Sequence, residues 1–461
     1  MQDEAAAAGP RGSFLGHVNV VMATYAIDGA LAFASGVLVA RALGPEGRGA
    51  FGLFAVSTAF GQMLLGLGFG SAAIYYVNKR ELTPRDIVSA LHVVTLGALA
   101  VTAAGVALVV PWAGDEVLGK GVSPWLLIAA VPVLVYGGTL RLVLQAESRF
   151  VAMGVATTAQ PVVMLTLMAV AYAASDPTPS QVVGFWIISY VAMAGFALAC
   201  LGRGSIDIAR IVRPAWPVIR MLARFGLRGE SGNVLQLMNY RLDQYIVRGF
   251  VGLAGVGIYA VGVSMTEAVW LLANAVAIVL LPRLTSADPE DARAITPVAC
   301  RNTILVAAAG SLMLAVAAPI IIPPFFGDRF DDSVQALWLL LPGTVALTGS
   351  KVLTSYIFSQ GRPMVNTLIT CVSLAVTVVA LLALVPRFGV NGAAAASSLA
   401  YGAHLCAALY AYRRISGQPA LNAVLPRFSD AHLYIDGARG VLARIGGRTA
   451  AEAAAPRQAG G

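Results

Sequence analysis

Stretches of about 20 apolar residues, the length a helix needs to cross the hydrocarbon core of a bilayer, follow one another along this chain almost without a break. No other feature restricts the fold as strongly. A soluble domain of 461 residues needs a polar shell, and here 58% of the residues are hydrophobic and only 12% charged. That excludes a soluble enzyme, a disordered chain and a fibrous protein. The apolar and polar residues do not alternate along short strands, as an outer-membrane barrel requires. The sequence therefore predicts an all-α, polytopic membrane protein.

Twelve spans are expected, at 18–43, 50–77, 87–112, 122–146, 150–174, 181–201, 220–248, 254–281, 298–323, 334–360, 362–385 and 389–413. The polar residues 1–16 hold no cleavable apolar core, so the first span is expected to act as the insertion signal. Lys and Arg set the orientation. With the N-terminus cytoplasmic, 21 basic residues fall on the cytoplasmic side and five (Arg48, Lys120, Arg248, Arg329 and Arg387) on the outer side. Both termini are thus predicted to be cytoplasmic. The net charge of +8 reports topology and contact with anionic lipid, not nucleic acid. The expected organisation is a cytoplasmic segment 1–16, an N-lobe 17–201, an Arg- and Pro-rich cytoplasmic linker 202–219, a C-lobe 220–413 and a cytoplasmic tail 414–461. Within the tail, residues 430–445 place apolar side chains at helical spacing opposite Arg439 and Arg444, which predicts an interfacial helix.

The two halves echo each other. Gly47-Arg48-Gly49-Ala50-Phe51 leads into span 2, and Gly255-Val256-Gly257-Ile258-Tyr259 leads into span 8, 208 residues later. Leu144-Gln145 with Arg149 is echoed by Ser359-Gln360 with Arg362. A parallel duplication of a six-helix unit follows, giving two pseudo-symmetric lobes around a central cavity. Repeat-built transporters place their substrate between the repeats near the midplane.

Nine charged residues lie inside spans: Arg41, Arg224, Arg228, Arg241, Lys351, Asp28, Glu230, Asp243 and Glu267. A charge at the bilayer centre costs about 2.5–3.5 kcal/mol on insertion scales, so each needs a partner, a snorkelling route or a wet cavity. At about 1.5 Å per residue, Asp28 and Glu230 lie about 15 Å from the cytoplasmic edge, Glu267 about 20 Å, Lys351 about 14 Å and Arg228 about 12 Å. These five share a level near the midplane. Arg41, Arg241 and Asp243 lie nearer the outer edge and Arg224 nearer the inner one. Span 7 adds the polar side chains of Asn233, Gln236 and Asn239, and span 8 adds Asn274. Two readings of the deep charges stay open: a structural ion-pair network, or groups lining a polar cavity. The four cysteines show no CxxC spacing and the four histidines no HxxH pair, so no metal site, catalytic group or cofactor is expected.

Three stretches resemble the polysaccharide flippases of the multidrug/oligosaccharidyl-lipid/polysaccharide exporter superfamily. They are LGPEGRGAFGLFAVSTAFGQMLLGLGFGSAAIYYV (43–77), the segment 225–284 from Arg241-Leu-Asp243 through Gly257-Ile-Tyr259 to Leu281-Pro282-Arg283, and FGDRFDDSVQALWLLLPG (326–343) with FSQGRPMVNTLI (358–369) and VPRFGVNGAAAASSLAY (385–401). The resemblance implies a twelve-helix transporter that moves an undecaprenyl-diphosphate-linked oligosaccharide from the inner to the outer leaflet of the bacterial cytoplasmic membrane. Alternating access, proton or sodium coupling and association with polysaccharide-assembly proteins are implied with it. Lipid II flippases of that superfamily typically carry two further helices, for which this chain has no room. On this reading Arg228, Lys351, Arg41 and Arg241 are candidate diphosphate-binding cations, since guanidinium groups bind phosphate in bidentate fashion. Asn233, Gln236, Asn239 and Asn274 are candidate sugar-binding groups. Asp28, Glu230, Glu267 and Asp243 are candidates for ion coupling or charge balance. A drug/cation antiporter and a membrane enzyme of polysaccharide assembly are the competing readings; the short outer loops count against the enzyme.

Overall fold

The computed structural model describes residues 10–118, 121–202, 215–286 and 288–425. The expected interfacial helix at 430–445 and most of the linker lie outside the described residues. The ends of the bundle are named inner and outer after the distribution of Lys and Arg.

Eleven α-helices carry the described chain: α1 (Pro10–Leu65), α2 (Phe69–Asn78), α3 (Pro84–Leu118), α4 (Leu127–Ala146), α5 (Phe150–Ala174), α6 (Pro179–Leu201), α7 (Trp216–Phe250), α8 (Leu253–Ser286), α9 (Pro289–Phe326), α10 (Asp332–Ser359) and α11 (Pro363–Ser416). Among the described residues no strand occurs. The twelve expected crossings are present, but their ends differ. Spans 1 and 2 form one helix bent at Gly44 (φ 64°, ψ −175°). Spans 11 and 12 form another, bent at Gly389 (φ 57°, ψ −131°). A left-handed turn of this kind lets one helix double back, and a Cβ opposes it.

Among the described residues nine helices are long and apolar enough to cross a membrane, and the bent α1 and α11 are among them. α7 is not. It has the length, at 35 residues, but carries most of the polar candidates. Lipid does not tolerate such a helix on all sides, so it must be buried between other elements. The packing agrees. Ile219 and Leu222 at its inner end are buried in the N-lobe core with Phe69, Leu91 and Leu144, while Val247 at its outer end is buried with Val256 and Leu381 of the C-lobe. α7 therefore bridges the lobes rather than belonging to one.

The duplication is visible as repeated hydrogen bonding. Between α4 and α5, the N–H groups of Glu147, Ser148 and Arg149 donate to the carbonyls of Val143, Gln145 and Leu144. Between α10 and α11, those of Gln360, Gly361 and Arg362 donate to Tyr356, Phe358 and Ile357. Every partner is displaced by 213 residues, which moves the expected register by two: Leu144 matches Ile357, not Ser359. Ser148 (φ 57°) and Gly361 (φ 71°) make the same left-handed turn.

Span 2 was expected as a single helix over 50–77. It is interrupted at Leu67 (φ 51°) and Gly68 (φ 65°). The cause is a backbone crossing from α7: a Cβ on Gly226 would lie 2.1 Å from the Leu67 carbonyl oxygen. Of the glycine row 226, 229 and 232, only Gly226 permits such an approach; α7 runs through all three without a break.

A polar seam between the lobes as candidate functional site

Span 2 and α7 face each other across the interface between the lobes. Three spaces lie along this seam. The outer one, about 260 Å³, is lined by Arg48, Gly52, Arg241, Gln244, Ser264 and Glu267. The middle one, about 310 Å³, is lined by Gln62, Gly138, Arg141, Leu142, Glu230 and Leu237. Ala59 of span 2 lines both. An inner groove of about 840 Å³ follows, walled by Trp216, Arg220, Arg224, Arg228 and Tyr76.

The outer space holds a close ion pair. Arg241 Nη2 donates to Glu267 Oε1 at 2.7 Å, with the two side chains 30% and 37% exposed. Arg48 reaches the same space and lies over the Phe51 ring, 5.6 Å from its centre. Its Nε is buried with no hydrogen-bond partner among the described residues, as is Oε1 of Gln244, a residue only 3% exposed. Buried polar atoms are nearly always satisfied, so an unpaired donor and an unpaired acceptor in one space are what a polar ligand or water completes. Next to this space, Lys351 Nζ lies 5.2 Å from the Trp270 ring, which also packs against Tyr240 and Tyr401.

Several candidates sit elsewhere. Asp243 is buried behind α7, accepting from Tyr259 Oη at 2.5 Å and from the Gln244 N–H at 2.8 Å. Asn239 is buried against α11, bonded to Ser373 and Thr377. Gln236 accepts from Thr370 of the same helix. These three polar groups tie α7 to α8 and α11 of the C-lobe. Arg41 is exposed at the outer surface and donates to the carbonyls of Phe325 and Pro324 at the end of α9. A helix C-terminus leaves such carbonyls unpaired, and a cation suits its dipole. Arg41 is thus placed as a cap rather than in the seam.

The five midplane charges do not form one cluster. Arg228 opens on the inner groove with Arg224 and Arg220. Glu230, two residues on, turns into the middle space beside Arg141 and accepts from Asn233 at 2.5 Å. Asp28 is held within the N-lobe by Thr158, which donates to its Oδ1 at 2.6 Å. Glu267 and Lys351 belong to the outer region. The side chain of Asn274 lies outside the described residues. Depth along a helix gives a residue's level but not its direction, and residues 228 and 230 point about 200° apart.

Three seam residues escaped the sequence reading. Arg48 was counted in an outer loop, and Arg141 and Arg220 with the cytoplasmic surface. The one available signal for Arg48 was its place between Gly47 and Gly49 in the repeated segment. His92 and His404 are packed and hydrogen-bonded, to Val88 and Tyr136 and to Ser350. Among the described residues no group of His, Cys, Asp and Glu has the arrangement of a metal site.

The fold is shared with solved transporters. The lipid II flippase MurJ in an inward closed conformation superposes with a TM-score of 0.69 at 13% identity, over 85% of this chain and 87% of that one. An inward-facing multidrug resistance MATE family transporter of the MOP superfamily gives 0.66 at 15% identity, over 85% and 94%. A MOP superfamily transporter from Pyrococcus furiosus, described as having a binding pocket of reversed polarity, gives 0.60 at 15%, over 89% and 97%. A search of curated protein sequences gives no match. A family model described as polysaccharide biosynthesis protein matches residues 38–335, well over half of the sequence. With twelve crossings in two pseudo-symmetric lobes and this match, the chain belongs to the polysaccharide biosynthesis protein family.

Proposed function

We propose that this protein flips an undecaprenyl-diphosphate-linked oligosaccharide from the inner to the outer leaflet of a bacterial cytoplasmic membrane, with both termini cytoplasmic. The observation that carries the proposal is the arginine content of the seam. Arg48, Arg141 and Arg228 occupy its three successive spaces. An anionic diphosphate crossing an apolar core needs guanidinium partners at more than one depth, because each binds it in bidentate fashion only locally. The seam lies between the lobes, so rocking can exchange the leaflet to which it opens.

The roles are divided accordingly. Arg48 and Arg241 receive the diphosphate in the outer half, where Glu267 neutralises Arg241 when no substrate is present. Lys351 adds a third cation beside that space. Glu230 plays the same balancing part for Arg141. Asn233 and Gln62 offer sugar-binding groups at the middle level. Asp28, held by Thr158 in the N-lobe within electrostatic reach of Arg141, is the candidate for coupling to a proton or sodium gradient.

A drug or cation antiporter is the second reading, favoured by the Tyr240–Trp270–Tyr401 cluster beside Glu267. Neither reading assigns enzymatic chemistry. Proteoliposomes loaded with a defined lipid-linked glycan separate the readings. Flipping that is lost in Arg48→Gln supports the first. Cation efflux without glycan movement supports the second.

A further inference from the structure

We infer that Arg220, Arg224 and Arg228 form a loading site at the inner leaflet that selects a lipid headgroup bearing a diphosphate and passes it to the seam. The inference deepens the flippase reading and rests on it. The three arginines recur every fourth residue, so they line one face of α7, and all three line the same groove. None has a hydrogen bond or ion pair among the described residues. Among the described residues no acidic side chain lines the groove; its other walls include Trp216, Tyr76 and Phe225. Elsewhere along the seam the cations share their space with an acid, Arg241 paired with Glu267 and Arg141 in the same space as Glu230. Among the described residues of the seam, guanidinium groups gather without a counter-charge in this groove alone, and phosphate is the anion that a membrane surface supplies.

Snorkelling to ordinary headgroups explains one arginine at the interface. It does not explain a row. Arg228 lies about 12 Å deeper along α7 than Arg220, whereas the interfacial layer on each side of a bilayer is only about 5–7 Å thick. The row leads below the headgroups toward the middle space. Its upper end meets the crossing of Gly226 with Leu67 and Gly68, which closes the groove from that space in this conformation. A diphosphate offers charge and acceptor oxygens to two successive arginines; a phosphodiester headgroup offers one phosphate. Aromatic walls at Trp216 and Tyr76 suit the first sugar or the interfacial end of the lipid.

Binding is the test, because it needs no transport. The full-length protein is titrated by native mass spectrometry with undecaprenyl diphosphate, undecaprenyl monophosphate and phosphatidylglycerol. Wild type is expected to prefer the diphosphate lipid over phosphatidylglycerol by about tenfold or more. The triple variant Arg220→Gln/Arg224→Gln/Arg228→Gln should lose that preference, and the triple Lys variant should recover it only in part. Equal binding of all three lipids by wild type would make the row a general anionic-lipid contact and overturn the inference. So would an undiminished preference in the folded Gln variant. Leaflet assays on the same preparations separate this from the broader reading. Selective binding without flipping sinks the flippase and leaves the site; flipping with no selectivity at the row does the reverse.

Discussion

Gly49 of α1, at the entry to span 2, and Gly257 of α8 meet backbone to backbone at the outer end of the seam. A Cβ on Gly49 would lie 2.0 Å from the Leu253 carbonyl oxygen, and one on Gly257 would lie 2.0 Å from that of Pro45. The two contacts are exchanged by the 208-residue repeat, as a pseudo-two-fold axis between the lobes demands. They close the seam on the outer side with no side chain at all. Gly68 and Gly226 form the corresponding inner closure.

Bulk at the outer contact should hold the lobes apart there. In a cysteine-free background, Ser264→Cys in the outer space is expected to react with an impermeant maleimide from outside when Gly49→Val or Gly257→Val is also present, and only weakly otherwise. Unchanged reactivity in folded Gly49→Val protein would show that this contact is not the outer closure.

Two neighbours on α7 should respond oppositely to mutation. Arg241 pairs with Glu267 along the outer space, and both are about one-third exposed. Arg241→Gln should therefore cost under about 1 kcal/mol of stability yet abolish flipping. Asp243 is 2% exposed and accepts from Tyr259 and Gln244. Asp243→Ala should cost about 1–3 kcal/mol for each buried donor left unpaired and lower the yield of folded protein. Thermal unfolding measured beside transport distinguishes them.

The contrast shows what the sequence can carry. The crossings, the duplication and the Gly47–Gly49 echo with Gly255–Gly257 are periodic or repeated features, and they survive without coordinates. The site is less legible. Arg228 and Glu230 share a level, and only the packing of α7 sends one to the inner groove and the other to the middle space. Arg41 and Arg48 both flank the first turn. A pair of unsatisfied carbonyls on α9 takes Arg41 to the surface, and close glycine packing takes Arg48 inward. Neither α9 nor the opposite lobe is near these residues in sequence.

The start of the tail is part of the C-lobe. Ala423 is buried with Leu280, Tyr356 and Tyr412, and the buried Arg301 donates to the Asn422 carbonyl at 2.5 Å. Truncation after Leu425 should leave stability and transport intact, whereas truncation after Ser416 should lower the unfolding temperature. Equal stability of the two truncated proteins would contradict this.

Sidedness rests on the distribution of Lys and Arg. Asp331→Cys and Arg80→Cys are both at exposed positions, on opposite ends of the bundle. In intact cells the first should be labelled by an impermeant maleimide and the second should not. The reverse pattern would invert the orientation and the proposed direction of transport.

The central claim is that the seam carries a diphosphate-linked glycan across the membrane. Its most direct test is a leaflet-sidedness assay in proteoliposomes holding an undecaprenyl-diphosphate-linked oligosaccharide, read by access of an impermeant glycan-modifying probe. Wild type is expected to bring the glycan to both leaflets, and Arg48→Gln, purified at normal yield and stability, to leave it in one. Transfer by the Arg48→Gln protein at the wild-type rate would contradict the account.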